Sequence, residues 1–152
     1  MAAGSLYRSA DRAAILARLR RLQPDTRPEW GEMTAPQMLA HVQAPLRVGL
    51  GTLRVRRGLV GLLFGRIAKK KLAGEAPFDR NLPTAREFRI AAPRDFAVER
   101  ESLVALVEDF ATAGPANKLV VQHPFFGPLT AAEWDVLMWK HLDHHLRQFG
   151  VS

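Results

Sequence analysis

Thr130-Ala131-Ala132-Glu133-Trp134-Asp135-Val136-Leu137-Met138-Trp139-Lys140-His141-Leu142-Asp143-His144-His145-Leu146-Arg147-Gln148, followed by Phe149 and Gly150, is the stretch whose reading decides the fold. It opens on a capping box, in which the Thr130 hydroxyl and the Glu133 carboxylate satisfy two orphan amide donors reciprocally. No proline or glycine interrupts it before Gly150, so the spacing predicts one long helix ending near Phe149. At about 100° per residue, Trp134, Leu137, Met138, His144, His145 and Gln148 all fall within about 60° of His141. That arc is the apolar stripe of an amphipathic helix. Asp135, Lys140, Asp143 and Arg147 lie off it, and Val136 and Trp139 point away from the histidines. The sequence therefore turns imidazoles towards a core.

A histidine facing a core needs a partner, because an unpaired buried polar group costs free energy. Two histidines one turn apart on one face can grip a single transition metal, as in the metalloprotease helix, although that motif's glutamate is absent here. Spacing admits His141 with His144 almost as well as with His145. A third ligand must come from another helix, and His41 is the natural candidate, being flanked by Met38 and Val42. The competing reading is of histidines that only hydrogen-bond within a packed core.

Three further helices surround this one. Ile15, Leu16, Leu19 and Leu22 recur at helical spacing behind Ser9 and Asp11 as caps, and Pro24 ends the run. Thr34 caps a second helix with Pro36 in its first turn. That helix carries Met38, Leu39, His41, Val42 and Leu46, is bent at Pro45, and ends near Gly49 and Gly51. Leu103, Leu106, Val107 and Phe110 form a third stripe that stops before Gly114-Pro115. A short helix or ordered excursion is expected at residues 58–72, and an irregular course over 74–94, with Glu87-Phe88-Arg89-Ile90 extended at best. The chain thus reads as an all-α, single-domain helical bundle over 1–152, with four main helices and an extra short one between the second and third.

Composition excludes several classes. The 152 residues hold no cysteine, so disulfides, a thiolate nucleophile and cysteine-ligated zinc are absent. A cysteine-free chain fits a reducing compartment, here the cytoplasm. Residues 1–12 contain no apolar run that suits a signal peptide, and nothing approaches the roughly 20 apolar residues of a membrane span. No phosphate loop or serine nucleophile elbow occurs. The net charge of +7 is local. Residues 33–74 have no acidic side chain but eight basic ones: Arg47, Arg54, Arg56, Arg57, Arg66, Lys69, Lys70 and Lys71. Removing those eight from 22 leaves 14 basic against 15 acidic elsewhere.

The segment 30–41, Trp30-Gly31-Glu32-Met33-Thr34-Ala35-Pro36-Gln37-Met38-Leu39-Ala40-His41, resembles the start of the second helix in the DinB/YfiT-like superfamily. His123-Pro124-Phe125-Phe126-Gly127-Pro128-Leu129-Thr130, with Trp134 and the run Lys140 to Gln148, resembles the approach to its fourth helix and that helix itself. The combination is most similar to an uncharacterised bacterial branch, a domain of unknown function. The likeness covers nearly the whole chain, is carried by the two histidine segments, and is faint over 54–94.

The resemblance implies a four-helix bundle holding a divalent metal on His41, His141 and His145. It thereby favours His145 over His144, and gives Gln148 a place behind the last ligand. Three neutral imidazoles leave coordination positions open, as catalytic sites do. Imidazole suits zinc, nickel, iron or copper, with zinc or nickel favoured. Characterised members of the superfamily activate low-molecular-weight thiols for S-transfer, or act as hydrolases or isomerases. A small-molecule substrate, with low-molecular-weight thiol chemistry, follows as an expectation. Val136 and Trp139, turned away from the histidines, are read separately as a homodimer surface or a packing face for the loop 74–94. His144 and His123 are the nearest general-base candidates, with the loop from His123 to Gly127 at the pocket mouth. Met38 and Trp134 belong beside the site as packing.

Two further readings concern Arg54, Arg56, Arg57, Arg66, Lys69, Lys70 and Lys71. In one, the apolar run 59–64 and its cations contact an anionic membrane surface or nucleic acid. In the other, the segment is a flap helix with its apolar side inward and its cations in water. If it lies near the pocket mouth, those cations steer an anionic substrate, such as a carboxylate-bearing thiol.

Overall fold

The computed structural model describes residues 4–72, 77–80 and 86–152, apart from the side chains of Val60, Arg66, Lys70, Lys71 and Leu72. The irregular course expected over 74–94 thus lies outside the described residues at 74–76 and 81–85. So do the side chains of Arg66, Lys70 and Lys71. What is described is mostly helical, as the periodicity requires. The helices are α1 (Ser9–Arg21), α2 (Ala35–Gly49), α3 (Leu59–Leu72), α4 (Phe96–Ala113) and α5 (Ala131–Gln148), with one 3₁₀ turn at Arg86–Phe88.

Local chemistry starts three of them. Gln37 N donates to Thr34 Oγ1 at 3.4 Å and Thr34 N to Gln37 Oε1 at 3.0 Å, a capping box at α2. Val98 N donates to Asp95 Oδ1 at 2.9 Å at the head of α4. Glu133 N donates to Thr130 Oγ1 at 3.2 Å, with Thr130 N to Glu133 Oε2 at 2.8 Å, at α5. The first helix differs from the sequence reading. Arg8 precedes α1 and no side chain caps it. Ser5 Oγ instead accepts from the amides of Tyr7 and Arg8, and Asp11 Oδ2 accepts from Ser5 N at 2.9 Å.

α2 is the central element, buried on nearly all sides by α4, α5 and the 3₁₀ turn. Gly49 lets its end approach closely: a Cβ there would stand 3.1 Å from Phe110 and 3.3 Å from Trp134. A buried polar network ties α2 to α4, with Gln43 Nε2 donating to Glu99 Oε2 at 2.7 Å and Ser102 Oγ to Gln43 Oε1 at 2.8 Å.

α5 is covered on more sides than its apolar stripe predicts. Asp135, Lys140 and Asp143 are all buried. Leu6 N donates to Asp135 Oδ1 at 2.7 Å, as residues 4–6 cross over α5. Trp139 belongs to the same crossing and packs against Gly4. Asp143 takes Arg18 Nη1 at 2.7 Å and Arg147 Nε at 2.9 Å, which fastens α1 to α5. Buried carboxylates survive because each is paired or hydrogen-bonded.

Residues 122–128 make a two-stranded antiparallel hairpin that the sequence reading did not contain. In it Gln122 pairs with Pro128 and His123 with Gly127. The expected extended run Glu87-Phe88-Arg89-Ile90 instead begins inside the 3₁₀ turn.

α3 overturns the flap-helix expectation. Among its described side chains and glycines, the buried positions are Gly61 and Gly65, which rest on the backbone of Pro124 and Phe125. Leu59, Leu62, Leu63, Phe64 and Ile67 are exposed.

Candidate metal centre

α2 and α5 bring His41, His141 and His145 together, each offering one ring nitrogen, with all three nitrogens within 4.8 Å of one another. His41 Nε2 and His141 Nε2 are 3.2 Å apart. The ring centroids form a near-regular triangle with sides of 5.1, 4.7 and 4.7 Å.

Two of the rings are held from behind. His41 Nδ1 lies 2.8 Å from the Phe88 carbonyl oxygen. A carbonyl only accepts, so Nδ1 carries the proton and Nε2 turns a lone pair towards the cluster. His145 Nδ1 lies 2.7 Å from Gln148 Oε1, and Gln148 Nε2 donates to the Trp30 carbonyl at 2.7 Å. The Trp30 carbonyl therefore fixes which way the Gln148 amide points. His145 donates through Nδ1 and frees its Nε2. Gly31 (φ +82°) permits this contact, since a Cβ there would stand 2.6 Å from Gln148 Nε2.

Burial sets the charge state. It pushes His145 down to about 3 and His141 well below the ordinary histidine range, with the neighbouring imidazoles adding to both shifts. His41 is lowered too, by burial, against a smaller opposing effect of its bond to Phe88. All three are thus neutral near pH 7, which is the form that binds a metal. The cluster can hold one ion. Nitrogens about 2.0–2.1 Å from a common tetrahedral ion lie about 3.3 Å apart, close to the observed His41–His141 separation.

The cluster forms the polar floor of a cavity of about 380 Å³. Trp30, Phe78, Phe88, Phe125, Phe126 and Leu137 supply most of the apolar wall, with Glu32 as its carboxylate. His144 is also on the wall and outside the three-nitrogen group. Its ring stands edge-on to Trp30, at 5.8 Å between centroids, and 6.2 Å from Phe78. His123 Nδ1 accepts from Phe125 N at 3.0 Å and Phe126 N at 3.1 Å, so it pins the hairpin turn that carries those rings into the cavity. Met38 and Trp134 are buried in the core and are not among the cavity walls. Trp134 nonetheless touches the site through His123, whose ring lies 5.1 Å from its own.

The family model described as Protein of unknown function (DUF1569) matches residues 7–151. The chain belongs to the DUF1569 family. Comparison with curated proteins and with solved structures found no match.

Three contributors to this DUF1569 site were not in the sequence reading. The carbonyls of Phe88 and Trp30 orient two rings, and a backbone carbonyl leaves no trace in side-chain pattern. Arg80 lies over the Trp30 ring at 4.1 Å and covers the outer side of the wall. Of the basic patch, Arg54 and Arg56 are exposed. Arg57 Nη2 donates to the Gly61 carbonyl at 3.2 Å, and Lys69 Nζ reaches Pro128 O at 2.6 Å and Glu133 at 3.0 Å. Among the described residues, no helix is long and apolar enough to cross a membrane.

Proposed function

We propose that this DUF1569 protein is a DinB-like four-helix bundle, with α1, α2, α4 and α5 as its main helices and α3 as an insertion. In this reading His41, His141 and His145 hold one divalent ion, zinc or nickel, for S-transfer to or hydrolysis of a small molecule. The observation that carries it is the pair of Nδ1 anchors, Phe88 O and Gln148 Oε1, which turn the Nε2 lone pairs of His41 and His145 to a common point. Ligating histidines are characteristically oriented in this way. Bound by three imidazoles with a position open, such an ion supplies Lewis acidity and lowers the pKa of an incoming water or thiol.

The chain's own residues supply the rest. The aromatic wall excludes water and takes the apolar part of a substrate. His144, kept neutral by burial, is a proton acceptor within the same cavity. A low-molecular-weight thiol suits the site because its sulfur enters as a thiolate.

A second reading rests on the 3.2 Å separation itself. If His141 carries its proton on Nε2, it donates to His41 and the three rings are a hydrogen-bonded core cluster. Elemental analysis of tag-free protein decides between the two. The metal reading expects near-stoichiometric metal, and metal-free protein that takes up neither zinc nor nickel would end it. Replacing Gln148 with leucine is expected to weaken metal affinity about 10- to 100-fold, because the His145 ring loses its anchor. Competition against a chromophoric chelator measures that change.

A further inference from the structure

The exposed face of α3 is unlike the rest of the surface. Leu59, Leu62, Leu63, Phe64 and Ile67 are 77%, 55%, 71%, 55% and 66% exposed. The helix is 14 residues long, and Gly61 and Gly65 seat it closely on the hairpin with these side chains turned outward. A Cβ at Gly61 would come within 2.9 Å of the Pro124 carbonyl, and one at Gly65 would overlap the Phe125 carbonyl. The helix is also clamped in this rotation. Arg57 grips its first turn through the Gly61 carbonyl, and Lys69 ties its far end to Pro128 and Glu133. It cannot roll its leucines inward without breaking these bonds and forcing side chains against the hairpin backbone.

Contiguous apolar surface of this kind marks a contact site. Charge decides what the contact is. The segment 33–74 carries eight basic and no acidic side chains, while the rest of the chain is near neutral. A second copy would set one cationic segment against another. A nucleic acid would match the charge and leave the exposed leucines and Ile67 in water, since bases stack on aromatic rings and not on aliphatic ones. A bilayer with anionic headgroups matches both features, apolar residues dipping past the headgroups and cations lying among them. At about 21 Å, a 14-residue helix does not span a bilayer and lies in its interface.

We propose that α3 is an interfacial anchor that docks this protein on anionic phospholipid membranes. Leu59, Leu62, Leu63, Phe64 and Ile67 enter the headgroup boundary, and Arg54 and Arg56, exposed just before the helix, contact lipid phosphates. The anchor stands independently of the metal reading, because it uses none of the cavity residues that hold or orient the three histidines.

The test is co-sedimentation of the full chain with phosphatidylcholine vesicles, with and without phosphatidylglycerol, at low and high salt. Binding is expected to the anionic vesicles alone and to weaken with salt. The double substitution Leu63→Ser with Phe64→Ser is expected to reduce it by more than about ten-fold. Arg54→Gln with Arg56→Gln is expected to reduce it by about five-fold per charge. Circular dichroism checks that both variants keep the wild-type helix content. The proposal is overturned if the wild type fails to sediment with anionic vesicles at low salt, or if both variants bind as the wild type does. It is also overturned if light scattering shows a dimer that the serine variant dissociates while vesicle binding is absent. Tight binding to RNA or DNA that the serine variant retains, without vesicle binding, overturns it as well.

Discussion

Replacing His141 with alanine is expected to reduce bound metal from about one ion per chain to a trace, while His144→Ala leaves it near the wild-type level. The contrast follows from placement. His141 stands 3.2 Å from His41 across the cluster, whereas the His144 ring turns to Trp30 and Phe78. Losing the orienting partner of a ligand already costs about 10- to 100-fold in affinity, and loss of a ligand itself is expected to exceed that. The same change has a signature in stability. An ion present at about 1,000 times its dissociation constant stabilises the folded chain by about 4 kcal/mol, provided it binds the unfolded chain weakly. At about 2–4 °C per kcal/mol for a chain of this size, added metal is expected to raise the wild-type melting temperature by about 10 °C. His141→Ala is expected to lose that increment and His144→Ala to keep it. Thermal melts with and without metal make the comparison within each protein, so the cavity left by a truncated imidazole cancels. Equal responses from the wild type and His141→Ala would leave the hydrogen-bonded cluster as the better account.

The helices that build this site are legible because each rule involved is local. The apolar spacing of Ile15, Leu16 and Leu19, and of Leu103, Leu106, Val107 and Phe110, names residues that are indeed buried. The Thr130–Glu133 box marks the start of α5. The histidine face was legible for the same reason, since one helical period places His141 and His145 beside Trp134 and Met138.

What failed depends on partners far away in sequence. The wheel put Asp135 and Asp143 off the core face, and they are buried because Leu6 and Arg18 come across to meet them. The orientation of α3 failed through the assumption that large apolar residues face inward. Gly61 and Gly65 have no side chain to register in an apolar count, yet they permit the close seating that turns the leucines outward. The hairpin has two residues per strand, too few for any alternation to show. The Phe88 carbonyl closes a three-residue 3₁₀ turn and the Trp30 carbonyl lies in a bend, and no side-chain pattern encodes where either points.

Acid is expected to unfold the metal-free protein sooner than its carboxylates alone require. Burial lowers His123 to about 4 and His145 to about 3 from an ordinary value of 6.5. The folded chain thus resists protons that the unfolded chain accepts. The stability gained by keeping these rings neutral is whole above about pH 6.5 and erodes as pH falls towards their folded values. At pH 5, about 1.5 units below the unfolded value, each ring costs about 2 kcal/mol at 1.36 kcal/mol per unit. The two together cost about 4 kcal/mol, a fall in melting temperature of about 10 °C between pH 7.5 and 5. His41 and His141 shift in the same direction and steepen the fall. His123→Asn separates the contributions. Its amide oxygen can replace Nδ1 as acceptor for the Phe125 and Phe126 amides, and it does not titrate. This variant is expected to lose about 2 kcal/mol of the pH dependence, with the remainder set by the three-histidine cluster and by His144, which burial also lowers. A melting temperature that stays level from pH 7.5 to 5 in the metal-free wild type would show that the cluster is open to water. The low-dielectric floor, on which the neutral imidazoles depend, would then be lost.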